Sequence, residues 1–242
     1  MKKRYLILIG IVLATFAVGI ILIYRWFFIP SGIEIDKAKY PITGIDISKH
    51  TGKIDFQKIK TQSFEFVFLK ATEGENYIDE KFETNYSEAK SSKIPVGAYH
   101  FFRFNKSGKV QAKNFFSSIN GKSFDLPYVL DIEEWGNIGQ AKKVDIVSEI
   151  STFIREIEEK TSKKVMIYTN ENGFKEYILG NFDDKEIWIC SFNEPPNIKN
   201  KWTFWQHSHK GKIESAEGFV DINTFYGDKK EWEKYLNLKK SE

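Results

Sequence analysis

The sequence is poor in the residues that staple small folds or carry metal and nucleotide chemistry. Cys190 is the single cysteine of the 242 residues, so the chain has no internal disulfide. Its position after the apolar run Ile187-Trp188-Ile189 favours a small core side chain over a nucleophile. No glycine-rich phosphate loop follows the first predicted strand, and the four histidines fit no HExxH-type spacing. We therefore expect no metal ion and no other cofactor.

The positive charge is confined to the beginning of the chain. The formal net charge is +3, but residues 1–25 hold four cations and no acid, which leaves −1 for residues 26–242. A nearly neutral body argues against nucleic acid as a partner.

The first residues predict a membrane segment. The chain is uncharged from Tyr5 to Tyr24, and these 20 residues match the length of a helix that crosses a bilayer. Three cations precede the segment, which places the N-terminus in the cytoplasm and exports the body. A cleavable signal peptide is the alternative, but its apolar region is shorter and ends in small residues. We expect a cytoplasmic tail (1–4), a transmembrane signal-anchor (5–28) held in the lipid bilayer, a linker (29–42) and one domain (43–240).

In the body, strand and helix patterns alternate and then stop alternating. Five apolar strands are each followed by a helical pattern, after which about three strands follow one another without helices between them. The predicted strands are Gly44–Ser48, Phe64–Lys70, Pro95–Phe101, the segment from Leu126, Lys164–Tyr168, Glu186–Cys190, Trp202–His207 and Phe219–Asn223. This order favours an α/β fold of one domain, a TIM-like (β/α)5(β)3 barrel, over an open doubly wound sheet.

The stretch Leu126–Trp135 is the centre of the functional prediction. An apolar run after Pro127 reads as a buried strand that ends in Asp131 and Glu133, which strand alternation places on one face. Their backbones would lie roughly 6.7 Å apart, a separation at which two carboxyl groups can reach one glycosidic bond. The alternative is a strand that becomes hydrophilic as it reaches solvent. Asp46 and Asp221 also lie at predicted strand ends, so a barrel would gather all four acids at one mouth.

Aromatic and amide side chains at other strand ends are candidates for binding a sugar. For each ring the alternative is core packing, and the two amides could instead hold the acids. The candidates are Tyr99, Phe101, Tyr168, Trp188, Trp205, Gln206 and Asn223.

Eight motifs in order give the chain a family resemblance. They are Gly44-Ile45-Asp46-Ile47-Ser48, Phe68-Leu69-Lys70-Ala71-Thr72-Glu73-Gly74, Gly97-Ala98-Tyr99-His100-Phe101, Leu130-Asp131-Ile132-Glu133, Ile167-Tyr168-Thr169-Asn170, Trp188, Trp205-Gln206-His207-Ser208 and Val220-Asp221-Ile222-Asn223. Over residues 43 to about 226 the chain resembles the glycoside hydrolase family 25 lysozymes, N-acetylmuramidases that cleave the β-1,4 bond after N-acetylmuramic acid in peptidoglycan. Thr51, Phe56 and His207 depart from the usual family residues, which concerns sugar recognition and removes no carboxylate.

The resemblance implies roles for the acids. Glu133 matches the proton donor, Asp131 the residue that orients the substrate's acetamido group, and Asp46 and Asp221 complete the acid cluster. It implies peptidoglycan glycan strands as the partner and, with the anchor, a single-pass monomer of the bacterial inner (cytoplasmic) membrane whose catalytic domain is extracytoplasmic. Two alternatives stay open: a membrane-tethered, catalytically weak peptidoglycan-binding module, and a glycosidase acting on another N-acetylated glycan such as chitin.

Overall fold

The computed structural model describes residues 10–11, 13–20, 32–137 and 142–241. The chain divides into two compact units, residues 1–31 and Gly32–Glu242. In the first unit the described residues are helical. No helix within the described ranges is long and apolar enough to cross a membrane. The predicted tail (1–4) and most of the predicted anchor (5–28) lie outside these ranges.

The second unit is built on a closed barrel of eight strands. The sheet contains β1 (Thr43–Ile47), β2 (Phe64–Glu73), the two-residue β3 (Tyr77–Ile78), β4 (Val96–Phe101), β5 (Tyr128–Asp131), β6 (Val165–Asn170), β7 (Ile187–Cys190), β8 (Phe204–Gly211) and β9 (Val220–Phe225). The strand order is β1-β9-β8-β7-β6-β5-β4-β2, and β1 also pairs with β2, which closes the barrel. Strand β9 is antiparallel to both of its neighbours, while β3 pairs with the end of β2.

Helices follow the first five barrel strands. They are α1 (Phe56–Thr61), α2 (Phe82–Ser91), α3 (Gly108–Ile119), α4 (Lys143–Thr161) and α5 (Glu171–Gly173), which continues as a π-helical turn (Phe174–Ile178); α6 (Lys229–Ser241) closes the chain. No described helix separates β7, β8 and β9. The predicted eight-stranded α/β barrel of one domain is therefore confirmed.

Large aromatic side chains fill the barrel interior. Phe66 and Phe68 point inward and are fully buried, whereas the alternating Val67 and Leu69 pack outward under the helices. Glycine makes room for these rings, because a Cβ at Gly44 would overlap the ring of Phe66. The functional space is consequently confined to one end of the barrel.

Two segments differ from their predicted form. Strand β2 continues to Glu73, beyond the predicted end at Lys70, because a register shift after Lys70 lets it keep pairing with β4. The described part of the predicted linker (29–42) lies on the barrel: the Ile33 amide donates to the His207 carbonyl oxygen over 2.9 Å, and Tyr40 is buried.

Candidate active site

A cavity of about 900 Å³ opens at the carboxyl ends of the parallel strands. All four predicted acids, Asp46, Asp131, Glu133 and Asp221, line it. They come from β1, β9 and the end of β5, so residues 175 positions apart in sequence meet because the barrel closes. This is the end of the barrel where enzymes of this architecture carry their active sites.

Asp46 and Asp221 form the first acidic pair. The β1–β9 register places them directly opposite each other. Asp46 is buried, and its Oδ2 accepts hydrogen bonds from Gln206 Nε2 and Asn223 Nδ2, both over 2.8 Å. Burial raises the pKa of Asp46 to about 6, although these hydrogen bonds oppose the shift. Burial and the nearby charge of Asp46 raise the pKa of Asp221 to about 9, so near neutral pH the pair holds one proton, on Asp221.

Asp131 and Glu133 form the second acidic pair. Asp131 is the last residue of β5 and is buried; its Oδ1 has no hydrogen-bond partner among the described residues. Burial, and then the charge of Glu133, raise the pKa of Asp131 well above its usual range. Burial and the charge of Asp46 raise the pKa of Glu133, while the nearby Tyr168 hydroxyl and the charge of Lys70 oppose this.

Glu133 lies beyond the strand rather than on it, which differs from the predicted strand alternation. Strand β5 ends two residues earlier, and Asn137 fixes the backbone there instead: its Nδ2 donates to the carbonyl oxygens of Glu133 over 2.7 Å and Phe102 over 2.8 Å. Both carboxyl groups nevertheless reach the same cavity.

A cluster of ion pairs beside these acids was not predicted. Lys70 Nζ lies 2.6 Å from Glu73 Oε2, and Arg103 pairs with the other oxygen of that carboxylate. Lys70 and Arg103 each lie 5.0 Å from the centre of the Phe101 ring. Although burial alone would raise the pKa of Glu73, Lys70 and Arg103 lower it. The only sequence signal was the Lys70–Gly74 motif, because Arg103 arrives from another strand.

Four of the predicted rings lie at the cavity, namely Tyr99, Phe101, Tyr168 and Trp188. Two of them also hold the amides that support Asp46: the Tyr168 hydroxyl donates to Gln206 Oε1 over 2.7 Å, and Trp188 Nε1 donates to Asn223 Oδ1 over 2.8 Å. Gln206 lines the cavity as well, whereas Asn223 is fully buried behind it. Of the two roles considered for Asn223, the structure shows the one that holds an acid.

Trp205 lies elsewhere and corrects one expectation. Strand alternation turns it away from the barrel interior, so its ring packs against Tyr40 and Trp202 in the layer under the helices. Its Nε1 donates to the Ser191 carbonyl oxygen over 2.8 Å. In this position Trp205 is a packing residue, and a sugar contact by its ring is not supported.

Other cavity residues carried no strong signal in the sequence. They are Ser48, Lys49, His50, Tyr77, Trp135, Asn170, Cys190, Phe192 and His209. Cys190 was expected in the core and instead forms part of the cavity wall, where burial raises the pKa of its thiol. A thiol that stays protonated does not suit a nucleophile.

Known proteins share both the sequence and the fold. The profile of the glycosyl hydrolases family 25 matches residues 45–216. Lysozyme M1 of Streptomyces globisporus is 33% identical over 201 residues, which cover 77% of this chain and 68% of that protein. A family 25 glycosyl hydrolase from Bacillus anthracis superposes with a TM-score of 0.77 at 34% identity, covering 85% of this chain and 97% of that one.

A second solved structure agrees. The bacterial lysozyme from Streptomyces coelicolor superposes with a TM-score of 0.73 at 32% identity, covering 83% of this chain and 97% of that one. The family profile spans most of the barrel, and the resemblance drawn from the eight motifs is confirmed. This chain belongs to the glycosyl hydrolases family 25 and is a glycoside hydrolase.

Proposed function

We propose that the protein is a lysozyme that hydrolyses the β-1,4 bond between N-acetylmuramic acid and N-acetylglucosamine in peptidoglycan, with Glu133 as the general acid. The observation that carries this proposal is the meeting of two acidic pairs in one cavity, where each of these four carboxyl groups has a raised pKa. Two relatives described above are named lysozymes, which supports peptidoglycan as the substrate.

Glu133 has the properties that protonation of a leaving oxygen requires. A general acid must still hold its proton near the working pH, and burial together with Asp46 raises the pKa of Glu133 in that direction. Glu133 is a half-buried residue that lines the cavity, so it can reach a bound saccharide. The nearby Tyr168 hydroxyl and the charge of Lys70 act in the opposite direction and limit the shift.

Asp131 has the properties of the residue that orients the acetamido group. Its carboxyl group lines the cavity and can accept the N–H of the 2-acetamido substituent, which would leave the acetamido oxygen directed at the anomeric carbon. A hydrogen bond to the charged carboxylate lowers its pKa. Substrate binding would thereby favour the charged form of Asp131 and the protonated form of Glu133. The two acids would then have separate roles.

The pair of Asp46 and Asp221 would position the substrate and tune Glu133. Asp46 raises the pKa of Glu133 through space, and Asp221 carries the proton of its own pair. Gln206 and Asn223 keep Asp46 in place through two donated hydrogen bonds. These two acids therefore act on the reacting pair without taking part in bond cleavage.

Release of reducing ends from purified peptidoglycan tests the assignment. Glu133→Gln should reduce turnover by roughly 10²–10⁴-fold, since one general acid typically contributes that factor. The exposed neighbour Glu134 provides a matched control, and Glu134→Gln should keep near-normal activity. Near-normal turnover by Glu133→Gln would overturn the acid role.

The two alternatives predict different products. A binding module without activity would retain peptidoglycan in a pull-down and release no reducing ends. A glycosidase for another N-acetylated glycan such as chitin would release N-acetylglucosamine reducing ends, whereas a muramidase releases N-acetylmuramic acid ends. Mass spectrometry of the products distinguishes them.

The proposal includes a membrane-tethered monomer on the outer side of the bacterial inner membrane. It rests on the uncharged run from Tyr5 to Tyr24 and the three cations before it. The full-length protein should sediment with membranes and be digested by protease added from the extracytoplasmic side. Recovery of a soluble exported form shortened near Ser31 would reverse the anchor assignment, and a sedimentation mass of two chains would contradict the monomer.

A further inference from the structure

Trp135 is held in the open at the edge of the cavity. Its side chain is 79% exposed and yet lines the same cavity as the four acids. The tryptophans of the barrel's packed layers, Trp188, Trp202, Trp205 and Trp232, are all at least 93% buried. An indole so exposed adds little to folding stability, because burial of apolar surface is what stabilises.

The turn that carries Trp135 is firmly built. The Asn137 amide donates to the Glu134 carbonyl oxygen over 3.0 Å, and between them Gly136 has a φ of +78°, a conformation that favours glycine. Arg103 donates to the Gly136 carbonyl oxygen and lies so close that a Cβ at residue 136 would be 3.3 Å from its Nη1. A larger residue at this position would disturb both the turn and the arginine.

The same turn fixes Trp135 relative to the general acid. Asn137 Oδ1 accepts from the Phe104 amide over 3.0 Å, and its Nδ2 donates to Glu133, only two residues before Trp135. The turn therefore fixes the backbone of Trp135 beside the reacting carboxyl group. A side chain presented from a fixed backbone loses less conformational entropy on binding than one on a flexible loop.

We propose that Trp135 stacks on a pyranose ring of the glycan strand outside the bond that is cut, and that this contact makes the enzyme prefer long strands. The inference rests on the proposed function. The β-linked pyranoses of the strand carry their substituents at the ring edges and present apolar C–H faces, which match the flat indole. Asp46 and Asp131 are buried whereas Trp135 is exposed, so the ring would meet a neighbouring sugar and leave the reacting one to the acids.

Kinetics on two substrate lengths test the contact, with the full chain in detergent. On long uncrosslinked glycan strands Trp135→Ala should raise KM about ten-fold, the effect of removing roughly 50 Å² of apolar contact. Its kcat should stay within about two-fold, since the contact is present in ground and transition states alike. On the shortest cleavable oligosaccharide the variant should match the wild type, and Trp135→Phe should recover most of the affinity for long strands. Leu179→Ala removes another exposed apolar side chain outside the cavity and should leave KM and kcat unchanged on both substrates.

Fluorescence gives a second readout that does not need turnover. In Glu133→Gln, long glycan strands should protect part of the emission from acrylamide, and the protected part should vanish in Glu133→Gln/Trp135→Phe. Equal KM values for Trp135→Ala and wild type on long strands would overturn the stacking role, as would an equal loss on both substrate lengths. A failure of the proposed function would look different. Either Glu133→Gln would cleave normally, or the wild type would cleave neither substrate. In the second case the protection from acrylamide could still be measured.

Discussion

Removing the carboxyl group of Asp221 should flatten the dependence of folding stability on pH above neutrality. Burial and repulsion by Asp46 raise the pKa of Asp221 from 3.8 to about 9 in the folded protein. The native state therefore keeps a proton that the unfolded chain has released. Such a group stabilises the fold fully below its unfolded pKa and loses that contribution as pH rises toward the folded pKa.

The size of the effect follows from the two pKa values. One extra bound proton changes the free energy of unfolding by at most about 1.4 kcal/mol per pH unit. Between about pH 7 and about pH 9, with Asp221 half titrated at the upper limit, the loss is about 2 kcal/mol. Asp221→Asn should remove this loss, because an amide resembles a protonated carboxyl group and can still donate to Asp46.

Urea denaturation of both proteins at several pH values across this range measures the difference. The contributions of histidines and of the other acids are common to the two proteins and largely cancel. The wild type should lose about 2 kcal/mol more than Asp221→Asn on going to the higher pH. Parallel curves for the two proteins would refute the conclusion that Asp221 is protonated in the folded state at neutral pH.

Three further predictions concern side chains that support the acids. Lys70→Met should raise the pKa of Glu133, because the charge of Lys70 lowers it. The alkaline limb of the pH–kcat profile should therefore move to higher pH, and a limb that stays in place or moves to lower pH would contradict this. Asn223→Ala leaves the buried Trp188 N–H without its acceptor and removes one of the two amide donors to Asp46, and it should cost about 2–4 kcal/mol in urea denaturation. A cost below about 0.5 kcal/mol would mean that water replaces the amide. Asn137→Ala should lower kcat far more than Glu134→Gln does, because loss of the Asn137 side chain releases the Glu133 backbone. Equal kcat values for the two variants would show that the turn keeps its shape without the Asn137 side chain.

The barrel and its acids could be predicted because their signals are local and periodic. Each apolar strand can be recognised from its own residues, and an acid near the carboxyl end of a parallel strand lies at the mouth of the barrel, which is why Asp46 and Asp131 were found together. Asp221 reaches the same mouth from the beginning of β9, because that strand runs antiparallel to its neighbours. The direction of Trp205 could not be predicted. Phe204 and Trp205 put one large ring on each face of β8, so alternation alone does not tell which of them points inward.

Contacts between residues of different strands could not be predicted from the sequence for a different reason. Lys70 and Glu73 are neighbours on β2, but Arg103 follows β4 and joins them only because β2 pairs with β4, which no spacing in the chain encodes. Glu133 was placed correctly at the cavity although its strand ends sooner than predicted. A hydrogen-bonding asparagine four residues later replaces the missing strand, and such a residue is not recognisable before the turn is known.

The aromatic filling of the barrel also constrains how material moves during a reaction cycle. Inside the barrel the rings of Phe68 and Trp188 stack with centres 4.6 Å apart, and they belong to a buried cluster that fills the interior in the described part of the chain. The attacking water and both ends of the cleaved glycan must then pass through the mouth of the cavity. Hydrolysis is completed only after one end of the cleaved glycan has moved aside and water has entered. This exchange of sugar for water is a candidate for the rate-limiting step.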